Sequence, residues 1–332
     1  MKKYFNGIAI LFFMLLAINC AYANQASKKD VKKVMISQVI DHPALNATVD
    51  GIIVGLAEAG YKRGTNLDIR VESAQASAAT AAQIANKFVA QKPDVVVGVG
   101  TISAQSFTKY AALNRVKLIF SSVTDPIAAN LAVSEEKAIS NISGVSNFTN
   151  LEPQLQLFKD LQPNIKRLGV IYNPGEINSI SMVRKLERVC AQYNLILVKQ
   201  TITKTADAGQ AVAKLANTVD AIFVTNDNTA LSSIQSIIQT AQKNNKPVYV
   251  SDTDAVDSGA IAALGPNQFE IGRQTGRMIA KVLEGTEVNT IPIEFPEKND
   301  LIINLDAASK ANITIPRAKL TQAANIIKQS KS

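Results

Sequence analysis

The 332-residue chain is 47% hydrophobic, carries 35 Lys and Arg against 27 Asp and Glu for a net charge of +8, and contains one histidine, two cysteines and no tryptophan. That length is too great for one ordinary core and suits two domains of about 100–200 residues each. The single histidine argues against a multi-histidine metal site and a remote Ser/His/Asp triad, and acids interleaved with bases, as in Lys185-Leu186-Glu187-Arg188, describe a solvated surface rather than a nucleic-acid footprint.

In chain order, the first predicted element is an export signal. Lys2 and Lys3 precede an apolar run over residues 8–18, and Ala21-Tyr22-Ala23 supplies small residues for cleavage after Ala23. The rival reading is a lipoprotein anchored through Cys20, but Asn19 stands where a small residue is wanted. No later segment offers the roughly 20 consecutive apolar residues of a membrane span. Cleavage leaves Cys190 alone, so no intramolecular disulfide is expected; inside a helix-like run, it reads as a small core residue.

From residue 31 to about 292, short apolar runs alternate with longer amphipathic stretches, the pattern of βαβ units and a parallel sheet. The strand-like runs come in pairs. Residues 34–40 match 168–173, residues 66–71 match 194–199, and residues 94–99 match 220–225. A fourth pair is IFSSVTDP at 119–126 with VYVSDTDA at 248–255. Four pairs in one order predict two α/β domains of the same topology, each a doubly wound parallel sheet with helices on both faces. Ligands bind beyond the carboxyl ends of such strands, so two facing domains would enclose a cleft. Its loops would be 38–43, 73–77, 100–104 and 121–126 from the first half, with 173–179, 201–205, 225–229 and 251–254 from the second.

These loops hold Asp41, Asp125, Glu176, Asp227, Asp252 and Asp254 against Lys204 alone. That balance favours a ligand with a cationic group such as an ammonium, although each acid could instead cap a helix. Gly98-Val99-Gly100-Thr101-Ile102-Ser103 lacks the third glycine of a dinucleotide fingerprint. It reads better as a helix start whose N–H groups would donate to a carboxylate or a phosphate. Pro43, Leu45, Phe120, Val123 and Tyr172 could form an apolar wall or belong to the core. A zwitterion with an apolar or aromatic side chain suits these loops. A sugar or nucleoside is the alternative, and Asp252 with Asp254 leaves a less favoured acid–base enzyme.

These same loops carry His42-Pro-Ala-Leu45, Val99-Gly-Thr-Ile-Ser-Ala-Gln105, Val123-Thr-Asp-Pro126, Tyr172-Asn-Pro-Gly-Glu-Ile-Asn-Ser179, Thr225-Asn-Asp-Asn-Thr229 and Leu264-Gly-Pro-Asn267 with Gly272-Arg-Gln-Thr-Gly276. In these pieces the sequence resembles a known family, the exported substrate-binding proteins of ABC transporters of the tryptophan and tyrosine uptake type. The resemblance implies a type I periplasmic binding protein fold whose lobes, joined by three crossings, close on one small molecule and deliver it to a membrane permease. Residues 31–149 and 266–292 would form the first lobe, and 150–265 and 293–325 the second. Thr101 and Ala104 would meet a ligand carboxylate. Glu176, Asn178, Asp227 and Asp252 would surround its ammonium, and His42, Pro43, Leu45 and Thr124 its side chain. Ile102 and Ser121-Ser122 depart from the family pattern, so the implied ligand is an aromatic or other apolar amino acid. No cofactor, metal ion or nucleic acid is implied, and the chain is expected to act as a monomer.

Overall fold

The computed structural model describes residues 31–134 and 139–328; the export signal, Ala23 and Cys20 lie outside them. The first lobe runs β1 (Lys32–Gln38), α1 (Pro43–Glu58), β2 (Leu67–Ser73), α2 (Ala78–Ala90), β3 (Val95–Val99), α3 (Thr101–Ala112), β4 (Leu118–Val123) and β5 (Ile142–Ser146). Its five strands lie in the order β2-β1-β3-β4-β5, all parallel. β3, β4 and β5 are buried at every position. That is why Val95–Val99 and Leu118–Phe120 read as unbroken apolar runs rather than alternating ones.

The second lobe repeats the plan. It runs α4 (Leu151–Leu161), β6 (Arg167–Tyr172), α5 (Ile177–Gln192), β7 (Ile196–Thr201), α6 (Ala208–Ala216), β8 (Ala221–Val224), α7 (Asn228–Leu231), α8 (Ile234–Lys243), β9 (Val248–Val250) and β10 (Ala262–Pro266). Its strand order β7-β6-β8-β9-β10 repeats that of the first sheet. Each sheet has an apolar core on both faces. In the second lobe, Phe158 stacks on Tyr249 with ring centroids 4.4 Å apart. Cys190 is a free, buried member of that core, where burial pushes its thiol up to about 12.

The chain then returns to the first lobe as α9 (Gln268–Leu283), which lies against α1. Glycines make this contact possible. A Cβ on Gly272 would sit 2.1 Å from Thr48 O, and one on Gly51 would sit 2.1 Å from Phe269 O. The backbones touch, and Ile271, Met278, Ile279 and Val282 of α9 enter the core with Val49, Ile52 and Leu56 of α1.

Two differences from the predicted layout follow from these crossings. Ile293 packs in the first-lobe core, and Glu294 exchanges backbone hydrogen bonds with Gly144 and Ser146, both 2.9 Å. The third crossing therefore lies between Glu294 and Asn299, later than 292, because Glu294 covers the otherwise open edge of β5. The second sheet is also not purely parallel. β11 (Asn299–Asn304) runs antiparallel to β10, and after α10 (Leu305–Lys310) and α11 (Arg317–Gln322), β12 (Asn325–Ile327) pairs parallel with β11. β10 leaves the lobe at its carboxyl end, and the chain comes back at that same end without a crossover helix. Its next strand can only run the other way.

Candidate ligand-binding site

In a sheet of order 2-1-3-4-5 the loops after the first and third strands part to opposite faces and open a crevice. The first lobe places residues 39–42 and Gly100 there, and the second places residues 173–176 and 225–227. The two crevices face each other across a cavity lined from both lobes.

On the first-lobe side, Gly100 is the N-cap of α3 at φ +83°, where a Cβ would lie 2.5 Å from Val39 Cγ1. Its lack of a side chain leaves the helix start uncapped, with the N–H groups of the first turn directed at the cavity that Gly100 and Thr101 line. Ala104 does not line the cavity. It is fully buried one turn in, and its N–H donates to Gly100 O at 3.1 Å. His42 precedes α1 and is buried against the cavity, with Nε2 lacking any partner. Burial lowers its imidazole to about 4 against the opposing charge of Asp41, so it is neutral at pH 7. Pro43, at the first helical position, is exposed and turned away, whereas Ala44 and Leu45 line the wall. Phe120 and Val123 belong to the lobe core. Ser122 and Thr124, on either side of Val123, reach the cavity.

On the second-lobe side the acids divide. Asp252 lines the cavity, only 5% exposed, and its Oδ1 accepts from Asp254 N at 3.0 Å. Among the described residues, no Lys or Arg lines the cavity. Burial, with the neighbouring charge of Asp254, pushes the Asp252 carboxyl up to about 7. Asn178 also lines it, donating from Nδ2 to Asn226 O at 2.8 Å and leaving Oδ1 buried without a partner. Glu176 and Asp227, expected to meet an ammonium, do not line the cavity. Glu176 accepts from Asn228 N (3.0 Å), Asn228 Nδ2 (2.6 Å), Thr229 N (3.0 Å) and Thr229 Oγ1 (2.7 Å). Asp227 caps α7 by accepting from Ala230 N at 2.7 Å and also accepts from Asn173 N. Burial first, and then the charge of Glu176, raises the Asp227 carboxyl to about 7. These two acids form a buried brace that sets Asn226, Asn228 and Asn178 at the cavity surface.

Of the ten residues predicted from sequence, His42, Leu45, Thr101, Thr124, Asn178 and Asp252 meet at the cavity. Asn226, Asn228, Leu231, Asn147 and Gln268 line it as well. Asn226 and Asn228 had a readable signal in Asn-Asp-Asn, where the central acid turns inward to cap and its neighbours turn outward. Asp125 is committed between the lobes. It accepts from Ser181 Oγ and pairs with Lys185 Nζ at 3.1 Å, and that ammonium also lies 4.0 Å from the Phe148 ring centroid. Burial alone would raise the Asp125 carboxyl, but bonds from Ala128 N–H and Ser181 and the Lys185 charge outweigh it and hold the group below the ordinary range.

Residues 33–327 match the family described as ABC transporter substrate binding protein. The chain belongs to that family. This substrate-binding protein is 35% identical over 287 residues to the tyrosine-binding protein of Clostridioides difficile (strain R20291), covering 86% of this chain and 83% of that one. It is similar to a Streptococcus pneumoniae ABC domain solved in complex with L-Trp, with 31% identity, a TM-score of 0.84 and coverage of 89% and 99%. Against a ligand-free, open substrate-binding protein with adhesive properties from Clostridium difficile, the identity is 32% but the TM-score is 0.68, with coverage of 90% and 100%.

Proposed function

We propose that this protein is an exported receptor that encloses one free amino acid with an apolar or aromatic side chain and presents it to the permease of an ABC transporter. The observation that carries this reading is the polarity of the cavity. N–H donors of the α3 start face it from one lobe, while the Asp252 carboxylate and Asn178 Oδ1 face it from the other. A zwitterion matches both ends. Its ammonium supplies the cation that Asp252 lacks, and its carboxylate fills an uncapped helix start. Ala44, Leu45 and Leu231 offer apolar surface to the side chain. The tyrosine-binding and tryptophan-bound relatives agree with this ligand class.

On this reading Thr101, His42, Leu45, Thr124, Asn178 and Asp252 touch ligand, and the chain works as a monomer that releases it unchanged. Closure strips water from both charged ends and strengthens their pairing with protein dipoles. Export follows from the expected cleavage after Ala23; among the described residues no helix is long and apolar enough to cross a membrane. The test is thermal denaturation of the purified chain with a panel of L-amino acids, sugars and nucleosides. A ligand bound by the folded state alone raises Tm by mass action, about 2.7 kcal/mol of stabilisation at a hundredfold excess over Kd. A shift with sugars or nucleosides and none with amino acids would overturn the reading.

A further inference from the structure

Two residues at the cavity come from outside the loops expected from the sequence. Asn147 follows β5 at the first crossing between the lobes, and Gln268 opens α9 immediately after the second. They are 6% and 4% exposed. In each, the amide oxygen is already engaged by the first lobe. Thr124 Oγ1 donates to Asn147 Oδ1 at 3.1 Å. Ser122 Oγ donates to Gln268 Oε1 at 2.9 Å, with Thr48 Oγ1 3.3 Å from the same oxygen.

The support under Gln268 is built at a cost. Ser122 sits at a register shift between β4 and β5 with φ +53°, a left-handed conformation unfavourable for any residue but glycine. That bulge carries its hydroxyl to the Gln268 oxygen. With the oxygens held, the amide nitrogens are left over, and among the described residues no acceptor engages Gln268 Nε2 or Asn147 Nδ2. A side-chain amide nitrogen carries two N–H donors, and both residues present theirs at the cavity they line. An acceptor on the ligand would satisfy them.

We propose that Gln268 and Asn147 bind the ligand's carboxylate from the two crossings, completing a donor set with the open start of α3. This rests on the amino-acid reading above. The assignment follows the charge pattern. Donors without partners lie on the first lobe and the crossings, and acceptors without cations lie on the second. These two amides also sit where backbone torsions must change when the lobes rotate. The carboxylate therefore bonds to the segments that move, and a ligand lacking it would leave both crossings unengaged.

Calorimetric titration of the full-length mature chain tests this with L-tyrosine, L-tryptophan and L-leucine, each beside its decarboxylated amine. The wild type should prefer the amino acid over the amine. Gln268→Met should weaken the best-bound amino acid about 10- to 100-fold and leave amine binding within about threefold, shrinking the preference. Gln268→Glu keeps an acceptor for Ser122 but sets a carboxylate against the ligand's own, so it should abolish amino-acid binding and spare the amine. Asn147→Ala supplies the same comparison at the other crossing should Gln268→Met not fold. Equal weakening of amino acid and amine in these variants would make the amides packing residues and overturn the assignment. Wild-type binding of amino acids with an unmoved preference sinks this inference alone. Wild-type binding of none sinks the amino-acid reading with it.

Discussion

Replacing Asp252 with Asn isolates the charge at the second-lobe end of the cavity. Asn keeps the shape and an acceptor for Asp254 N, but it cannot pair with an ammonium as an anion. Removing one partner of a buried, hydrogen-bonded charge pair costs about 2–5 kcal/mol. Against that, the wild type must ionise a carboxyl that burial has raised to about 7, which at pH 7.5 costs under about 0.5 kcal/mol. The expected net loss is about 2–4 kcal/mol, or roughly 30- to 900-fold in Kd. The pH dependence gives a second signature. An ammonium favours the ionised form, so the bound protein has a lower Asp252 pKa than the free one and binding releases a proton near neutrality. Wild-type affinity should then level off above pH 7 and fall by up to about tenfold per unit below it, and Asp252→Asn should flatten that slope. Unliganded Asp252→Asn should melt no lower than the wild type, because a buried carboxyl without a cation has been removed. Titration calorimetry at pH 5.5, 6.5 and 7.5 with the best-bound amino acid reads all of this except Tm. Wild-type affinity and an unchanged slope in Asp252→Asn would refute the ammonium site.

Glu176→Ala should act on stability first, since it leaves the buried Asn228 and Thr229 N–H groups unpaired; a loss of about 3 kcal/mol or more would lower Tm by roughly 6–12 °C, and a variant that melts normally but cannot bind would return Glu176 to the ligand shell. Asp125→Asn removes the charge between the lobes, so small-angle scattering should show a more open unliganded ensemble and titration a Kd weaker by about 3- to 10-fold; no change in either would make the contact incidental. Gly272→Val places side-chain atoms where Thr48 O lies 2.1 Å from even a Cβ, so it should yield chain without a cooperative melt, and normal melting would show that α9 can stand away from α1.

The parts of the fold legible in the sequence were those where one physical signal dominates. β3 and β4 are covered on both faces, so Val95–Val99 and Leu118–Phe120 are continuous apolar runs with close echoes in β8 and β9. Cleft loops followed from strand direction alone. Direction within a loop did not. Asp227 and Asp252 are both acids at the carboxyl end of a strand and both N-caps, yet one is turned into the lobe and the other lines the cavity. Composition cannot separate those fates, because they differ by which neighbouring N–H groups reach the carboxylate in space. Asn147 and Gln268 were missed for another reason: they follow β5 and β10, the fifth strands of the two lobes, and the pairs legible in the sequence stop at the fourth. The antiparallel β11 was hidden likewise, its direction being set by where the chain re-enters the lobe rather than by its own residues.

The contact of α9 with α1 bears on when the protein can fold. The core of the first lobe has one wall made by residues 271–282, which come after nearly the whole second lobe in the chain. During synthesis the first sheet can pair its strands early, but an apolar face remains open until that late helix emerges. Domains that mature strictly from the amino end have no such delay. On the proposal that the chain is exported, the segment that completes the first lobe is withheld until most of the protein has been made.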